Sequence, residues 1–143
     1  MTRMVAGKAL AALICVATLP AQAQVDRVYR SARALSGKEM RLALFGRVNA
    51  KECKPLPLPE IRVIAAPEHG SLTVRASTVS TNQYQGCPNL TLPAQVLLYK
   101  SAPDYVGSDS VGFTVTFENG ETQAHRISIT IAKEGEASKA EEL

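Results

Sequence analysis

The sequence has no tryptophan, only four tyrosines and three phenylalanines, two histidines and three cysteines. Its basic residues are spread along the chain, most of them from Arg27 to Lys100, with no dense cluster and no interleaved stacking aromatics, which excludes the usual footprint of a nucleic-acid binder. With only His69 and His125 near neutrality in their ordinary pKa, any acid-base or imidazole-metal chemistry must use them, and neither has an obvious partner. There is no C-x-x-C, so a dithiol redox site and a short-spaced thiolate metal site are disfavoured. No methionine follows Cys87 and the next histidine is His125, which removes a blue-copper site. A Gly-rich phosphate loop, a G-x-S-x-G elbow and an S-x-x-K pair are also missing, although Ser77–Thr81 is rich in hydroxyls. Paired carboxylates for glycoside hydrolysis need a cleft, which a small domain with short loops does not leave; Glu60, Glu68, Glu118 and Glu121 are expected at exposed strand ends. These absences point away from an enzyme and call for no cofactor.

What is present is ordinary for a globular chain: 45% hydrophobic and 20% charged residues over 143 positions, enough for one domain with a core. The N-terminus carries the three parts of an export signal. Arg3 and Lys8 supply the positive region, Ala9–Leu19 the apolar run, and Ala21 and Ala23 an A-x-A site, so residues 1–23 are expected to be removed. The apolar run reaches only about half of a ~30 Å hydrocarbon core, too short for a span. Ile14 and Ala12 precede Cys15 where a lipoprotein would carry a small and an aliphatic residue, so lipid attachment is not expected. Arg3 and Lys8 account for two of the net +3 charges, leaving the exported part close to neutral. The tail 133–143, with Glu134, Glu136, Glu141 and Glu142, has no large apolar residue before Leu143 and reads as a flexible, solvated segment.

Once Cys15 leaves with the signal, Cys53 and Cys87 remain, and an oxidising compartment makes them a structural disulfide. The alternating apolar residues that follow read as strands. Leu42, Leu44 and Val48 share one parity in Arg41–Val48, as do Ile61 and Val63 in Glu60–Ala65, and Leu72 and Val74 in Ser71–Arg75. Ala94–Lys100 is apolar on both parities, as a central strand covered on both faces would be. Val111, Phe113, Val115 and Phe117 lead to Asn119-Gly120, and Ile127, Ile129 and Ile131 follow. This is a hairpin, with Asn-Gly suited to a type I′ turn. Gly112 marks a bulge or a close backbone approach. The run from Pro55 to Pro59 reads as an extended crossover. Val25–Leu35 fits either a helical stripe or a strand, and the strand reading is preferred.

A set of turn and core residues recurs in fixed order: Pro67-Glu68-His69-Gly70-Ser71-Leu72-Thr73-Val74, then Tyr99–Pro103, Tyr105-Val106-Gly107-Ser108-Asp109-Ser110, Phe113-Thr114-Val115, Gly120, and Ile127–Ile131. This pattern resembles the bacterial cadherin-like and immunoglobulin-like repeats of cell-surface proteins. The resemblance implies a Greek-key sandwich and carries no biochemical role. Such repeats usually stand in tandem and have an aromatic where Val111 lies. Their calcium-holding Asp clusters are missing here: only Asp104, Asp109 and Glu118 lie near the relevant loops, short of the six to eight oxygens calcium takes. Asp109 is expected to bind backbone donors of the turn before its strand.

The sequence therefore leads to an all-β, Ig-like or cadherin-like Greek-key β-sandwich of about seven strands over 24–132, with one disulfide. The expected role is that of an exported, periplasmic or secreted non-enzymatic envelope protein binding another protein or a cell-envelope glycan. Gln83, Tyr84 and Gln85, in the weakly patterned stretch Ala76–Pro93, form the candidate binding loop. The alternative is a periplasmic metal-binding protein using the histidines or loop carboxylates. A denatured mass of the exported protein should equal residues 24–143 less the two hydrogens of a Cys53–Cys87 bond; a retained leader or two free thiols would refute this reading.

Overall fold

A computed structural model describes residues 24–135, together with 17, 19 and 22. The export signal expected over 1–23 and the solvated tail expected over 133–143 fall outside the described residues except at 17, 19, 22 and 133–135. The strands in chain order are β1 (Asp26–Leu35), β2 (Glu39–Phe45), β3 (Val48–Asn49), β4 (Lys54–Pro55), β5 (Glu60–Ala65), β6 (Gly70–Thr81), β7 (Leu90–Ser101), β8 (Gly107–Thr116) and β9 (Thr122–Ala132). One sheet has the order β1-β9-β8-β5 and the other β2-β7-β6, while β3 and β4 pair as a small ribbon. Within the two larger sheets only β6–β7 and β8–β9 are consecutive strands that pair, so the chain otherwise passes back and forth between those sheets. That is the Greek-key sandwich of immunoglobulin type, seven strands with an accessory ribbon.

The core follows from the alternation. Val111, Phe113 and Val115 of β8 and Ile127, Ile129 and Ile131 of β9 are almost wholly buried, facing Leu97 and Tyr99 of β7. Each such side chain contributes roughly 1.5–3 kcal/mol by leaving water. The ambiguous N-terminal stretch is a strand: β1 pairs in parallel with β9 from Asp26 opposite Gln123 to Leu35 opposite Ala132. Ala32 and Ala34 are its core-facing residues, small enough to let β1 close the sheet edge.

Three local expectations need correction. In β2 a bulge falls between Arg41 and Ala43, leaving Leu42 as the extra residue. The parity of the buried face then shifts, so Leu42, Ala43 and Phe45 pack inward and Leu44 is turned outward, breaking the single face expected for Leu42, Leu44 and Val48. The β8–β9 hairpin is present but its turn is not type I′, because Gly120 has a positive φ of 84° and Asn119 does not. Gly120 N–H donates to the Phe117 carbonyl and Phe117 N–H to that of Glu121, which is a type I turn closed by a glycine bulge. Asn119 contributes through its side chain, whose Oδ1 accepts the Glu121 N–H at 3.0 Å. Arg47 holds this turn from outside, with its guanidinium 2.7 Å from Glu121 and 3.6 Å above the Phe117 ring.

The third correction concerns β7. It is the central strand of its sheet, as expected, but it is not covered on both faces along one stretch. Its buried residues are Leu90, Leu92 and Ala94 in the first half and Leu97, Tyr99 and Ser101 in the second, so the buried parity changes midway. The second set belongs to the main core. The first set lies beside the 46–59 segment: a Cβ on Gly46 would come within 2.8 Å of Leu92 Cδ1 and 3.3 Å of Ala94 Cβ. Pro59 and Cys87 are fully buried there as well, and none of these residues joins the main cluster. The strand β6, read in the sequence as Ser71–Arg75, in fact extends over twelve residues and follows β7 without a register break.

Cys53 and Cys87 are bonded, with Cα atoms 5.4 Å apart and 34 residues between them in sequence. The bond ties the 46–59 segment to the tip of the β6–β7 hairpin. Chain-entropy reasoning for a loop of this size gives roughly 3–4 kcal/mol. Cys53→Ser and Cys87→Ser should each lower the unfolding free energy by about that amount in denaturant titrations, with amide exchange rising first over 46–59. Equal midpoints for mutant and oxidised wild type would contradict the brace.

Candidate functional site

Among the described residues Asp109 is the polar side chain with the most hydrogen bonds. Its place in β8 shares the inward parity of Val111 and Phe113, and its two oxygens accept four hydrogen bonds. Oδ1 takes the N–H groups of Glu68 at 3.0 Å and Ser110 at 2.8 Å; Oδ2 takes the His69 N–H at 3.0 Å and the Tyr99 hydroxyl at 2.8 Å. Two of these donors come from the turn between β5 and β6, not from the turn preceding its own strand as the sequence led us to expect. Burial pushes the carboxyl pKa up, but the Tyr99 hydroxyl and the three backbone N–H groups more than reverse this and hold it below the ordinary value. Tyr99 is shifted the opposite way, raised by burial and by its bond to the carboxylate.

The two histidines lie apart. The His69 ring stacks on Tyr105 at 4.1 Å, and the Tyr105 hydroxyl donates to the Ser108 carbonyl. His125 is buried, stacked on its cross-strand partner Phe113 at 5.1 Å and edge-on to Phe45 at 5.0 Å. Its Nε2 meets Gln123 Oε1 at 3.1 Å, while its buried Nδ1 has no hydrogen-bond partner. Burial lowers its pKa, with a smaller push from the charge of Arg30. Among the described residues no three His, Cys, Asp or Glu side chains converge as a metal site would require.

The candidate loop Gln83, Tyr84 and Gln85 sits between β6 and β7 at the disulfide end. Gln83 and Gln85 are exposed and Tyr84 is half-buried, with its carbonyl accepting the Cys87 N–H. Gln83 N–H donates to Thr81 Oγ1, so the loop is short and locally tied.

A second surface was not foreseen. On the outer face of the four-stranded sheet, Tyr29 of β1 lies opposite Arg126 of β9, which lies opposite Gly112 of β8, which pairs with Ala65 of β5. Arg27 stands beside this row, opposite Ala124. A bulge places Ile64 as an extra residue between Val63 and Ala65, opposite the Gly112 step. A Cβ on Gly112 would come 3.1 Å from that of Ala65, so glycine both admits the bulge and leaves a hollow. The resulting depression of about 220 Å³ is lined by Arg27, Tyr29, Ile64, Gly112, Ala124 and Arg126, with His125. Tyr29 is 71% exposed and Ile64 61%. The only sequence trace of this surface is the alternation Arg27, Tyr29, Ser31, Arg33; its other members join through strand register.

No protein-family model and no curated protein matches this chain. Among solved structures, the solution structure of amebosin is similar at a TM-score of 0.41 and 8% identity, covering 76% of this chain and 99% of amebosin. A 2,6-sialyltransferase of Photobacterium sp. JT-ISH-224, crystallised with CMP and lactose, is similar at a TM-score of 0.34 and 13% identity. That match covers 76% of this chain, which spans only 18% of the enzyme. At these scores neither likeness bears on function.

The electrostatics give two acid-side expectations. Both Asp109 and His125 have folded-state pKa values below their unfolded ones, so each stabilises above its unfolded pKa and loses that contribution as pH falls through the folded value. Unfolding free energy should therefore decline first below about pH 6.5 and again below about pH 4. His125→Phe should remove the first decline. Asp109→Asn should cost roughly 2–4 kcal/mol at pH 7, since an amide offers one acceptor where four donors converge, and should flatten the second. Denaturant titrations from pH 7 to pH 3 check both; unchanged slopes in the variants would refute the assignment.

Proposed function

We propose that this protein is an exported, non-enzymatic binding module of the cell envelope, built on a cadherin-like or immunoglobulin-like sandwich. The observation that carries this reading is where the chemically capable side chains are used. Asp109 is saturated by four donors that tie the fold together, His125 is packed between two phenylalanines, and His69 is stacked on Tyr105. What remains on the surface is recognition chemistry on a rigid frame: an exposed tyrosine and isoleucine flanking arginines on one sheet, and the Gln83–Gln85 loop at the disulfide end. The A-x-A leader, the disulfide, and the lack, among the described residues, of a helix long and apolar enough to cross a membrane support export to the periplasm or beyond. The metal-binding alternative has no specific observation in its favour.

Photo-crosslinking residues placed at Tyr29, Gln83 or Gln85 of the full chain in its own envelope fraction test the proposal. We expect a discrete envelope adduct at one or more of these positions and none at an exposed control such as Lys51. Adducts at no position, or equal labelling everywhere, would overturn it.

A further inference from the structure

We propose that the outer face of the β1-β9-β8-β5 sheet is a binding site for an acidic polysaccharide, the uronic-acid type of glycan in which carboxylates recur along a hydroxyl-rich chain. This rests on the binding-module reading and names its ligand class. Charge is the first argument. Arg27, Arg33, Arg62 and Arg126 all have outward register on this face, and among them only Arg62 meets a carboxylate, that of Glu60 at 3.1 Å. Arg27, Arg33 and Arg126 are exposed and form no ion pair among the described residues. Unpaired guanidinium groups held on strands suit bidentate binding of carboxylates.

Shape and polarity decide which anion fits. The hollow above Gly112 is bounded on one side by the exposed Tyr29 ring and on the other by Ile64, so a flat, partly apolar ring has a seat between two apolar walls with guanidinium groups beside it. Next to this row, Ser31, Ser128 and Ser110 stand opposite one another across three strands and offer hydroxyls to a hydroxylated ligand. Arg33 closes the face beyond them, opposite Thr130. From Arg27 to Arg33 the face extends about 20 Å at the usual strand rise, the reach of a short oligosaccharide.

An acidic peptide fits less well. Peptides laid on sheets gain their affinity from free backbone groups at an edge. Here the hollow lies over the two middle strands, β8 and β9, which are paired on both sides, so a ligand seated in it is read by side chains and not by the free backbone of the edge strands β1 and β5. A glycan, which brings its own carboxylates, hydroxyls and ring faces, needs nothing more.

The test is calorimetric titration of the full mature chain with tetragalacturonate, neutral maltotetraose and tetraglutamate. We expect tetragalacturonate to bind, maltotetraose not to bind, and tetraglutamate to bind at least about tenfold more weakly. Arg27→Ala, Arg126→Ala and Tyr29→Ala, all at exposed positions, should each weaken tetragalacturonate binding about tenfold or more, the range of a charge-assisted hydrogen bond. Arg75→Ala on β6, in the other sheet, should leave it unchanged. No binding of tetragalacturonate, equal binding of tetraglutamate, or unaltered affinity in the arginine variants would overturn the proposal. A protein adduct at Tyr29 in the crosslinking experiment, with no saccharide binding, would remove the glycan while keeping the binding module; loss of both would remove both.

Discussion

The carboxylate of Asp109 is the interaction on which the architecture turns. A Greek-key sandwich passes its chain repeatedly from sheet to sheet, and apolar packing alone leaves the two layers free to slide, since dispersion contacts have little directional preference. Asp109 supplies direction. From β8 in one sheet it grips the Tyr99 hydroxyl on β7 in the other and two N–H groups in the connection between β5 and β6. Ser101 and Gly37 extend this linkage at the same end, where the Gly37 N–H donates to Ser101 Oγ. The burial that penalises the carboxylate is offset only because all four donors arrive together, so these segments are specified jointly.

The opposite end is held by different physics. There the buried residues of β7 have changed parity, and Leu90, Leu92 and Ala94 pack beside a proline-rich segment whose only regular structure is the two-residue ribbon β3–β4. A small apolar cluster under an irregular loop is a weak constraint, and the disulfide compensates by limiting how far that loop can depart. The molecule thus has a polar lock at one pole and a covalent one at the other, with the main core between them. That stiffness holds the side chains of a sheet face at distances set by strand spacing and not by loop conformation.

How much of this was legible in the sequence depended on the range of the interaction. Alternation in Val111–Phe117 and Ile127–Ile131, turn residues between runs, and the pair of cysteines left outside the expected leader are local or compositional signals, and the strands, the hairpin and the disulfide followed from them. Features set by pairing register were not legible. The bulges at Leu42 and Ile64 shift parity by one residue, which no alternation pattern shows in advance, and they decide that Leu44 faces out and that a hollow opens above Gly112. Two of the four partners of Asp109, the N–H groups of Glu68 and His69, lie some forty positions upstream. The arginine face was hidden for the same reason: Arg27 and Arg126 are distant in sequence and line one hollow only because β1 runs parallel to β9.

That parallel pairing also has a mechanical meaning. Because β1 and β9 run in the same direction, Asp26 lies at one pole of the sandwich and Ala132 at the other. Tension applied between those residues therefore pulls the two strands lengthwise past each other, loading all the ladder hydrogen bonds from Asp26 to Leu35 at once instead of peeling them singly. A domain strung this way resists force in shear.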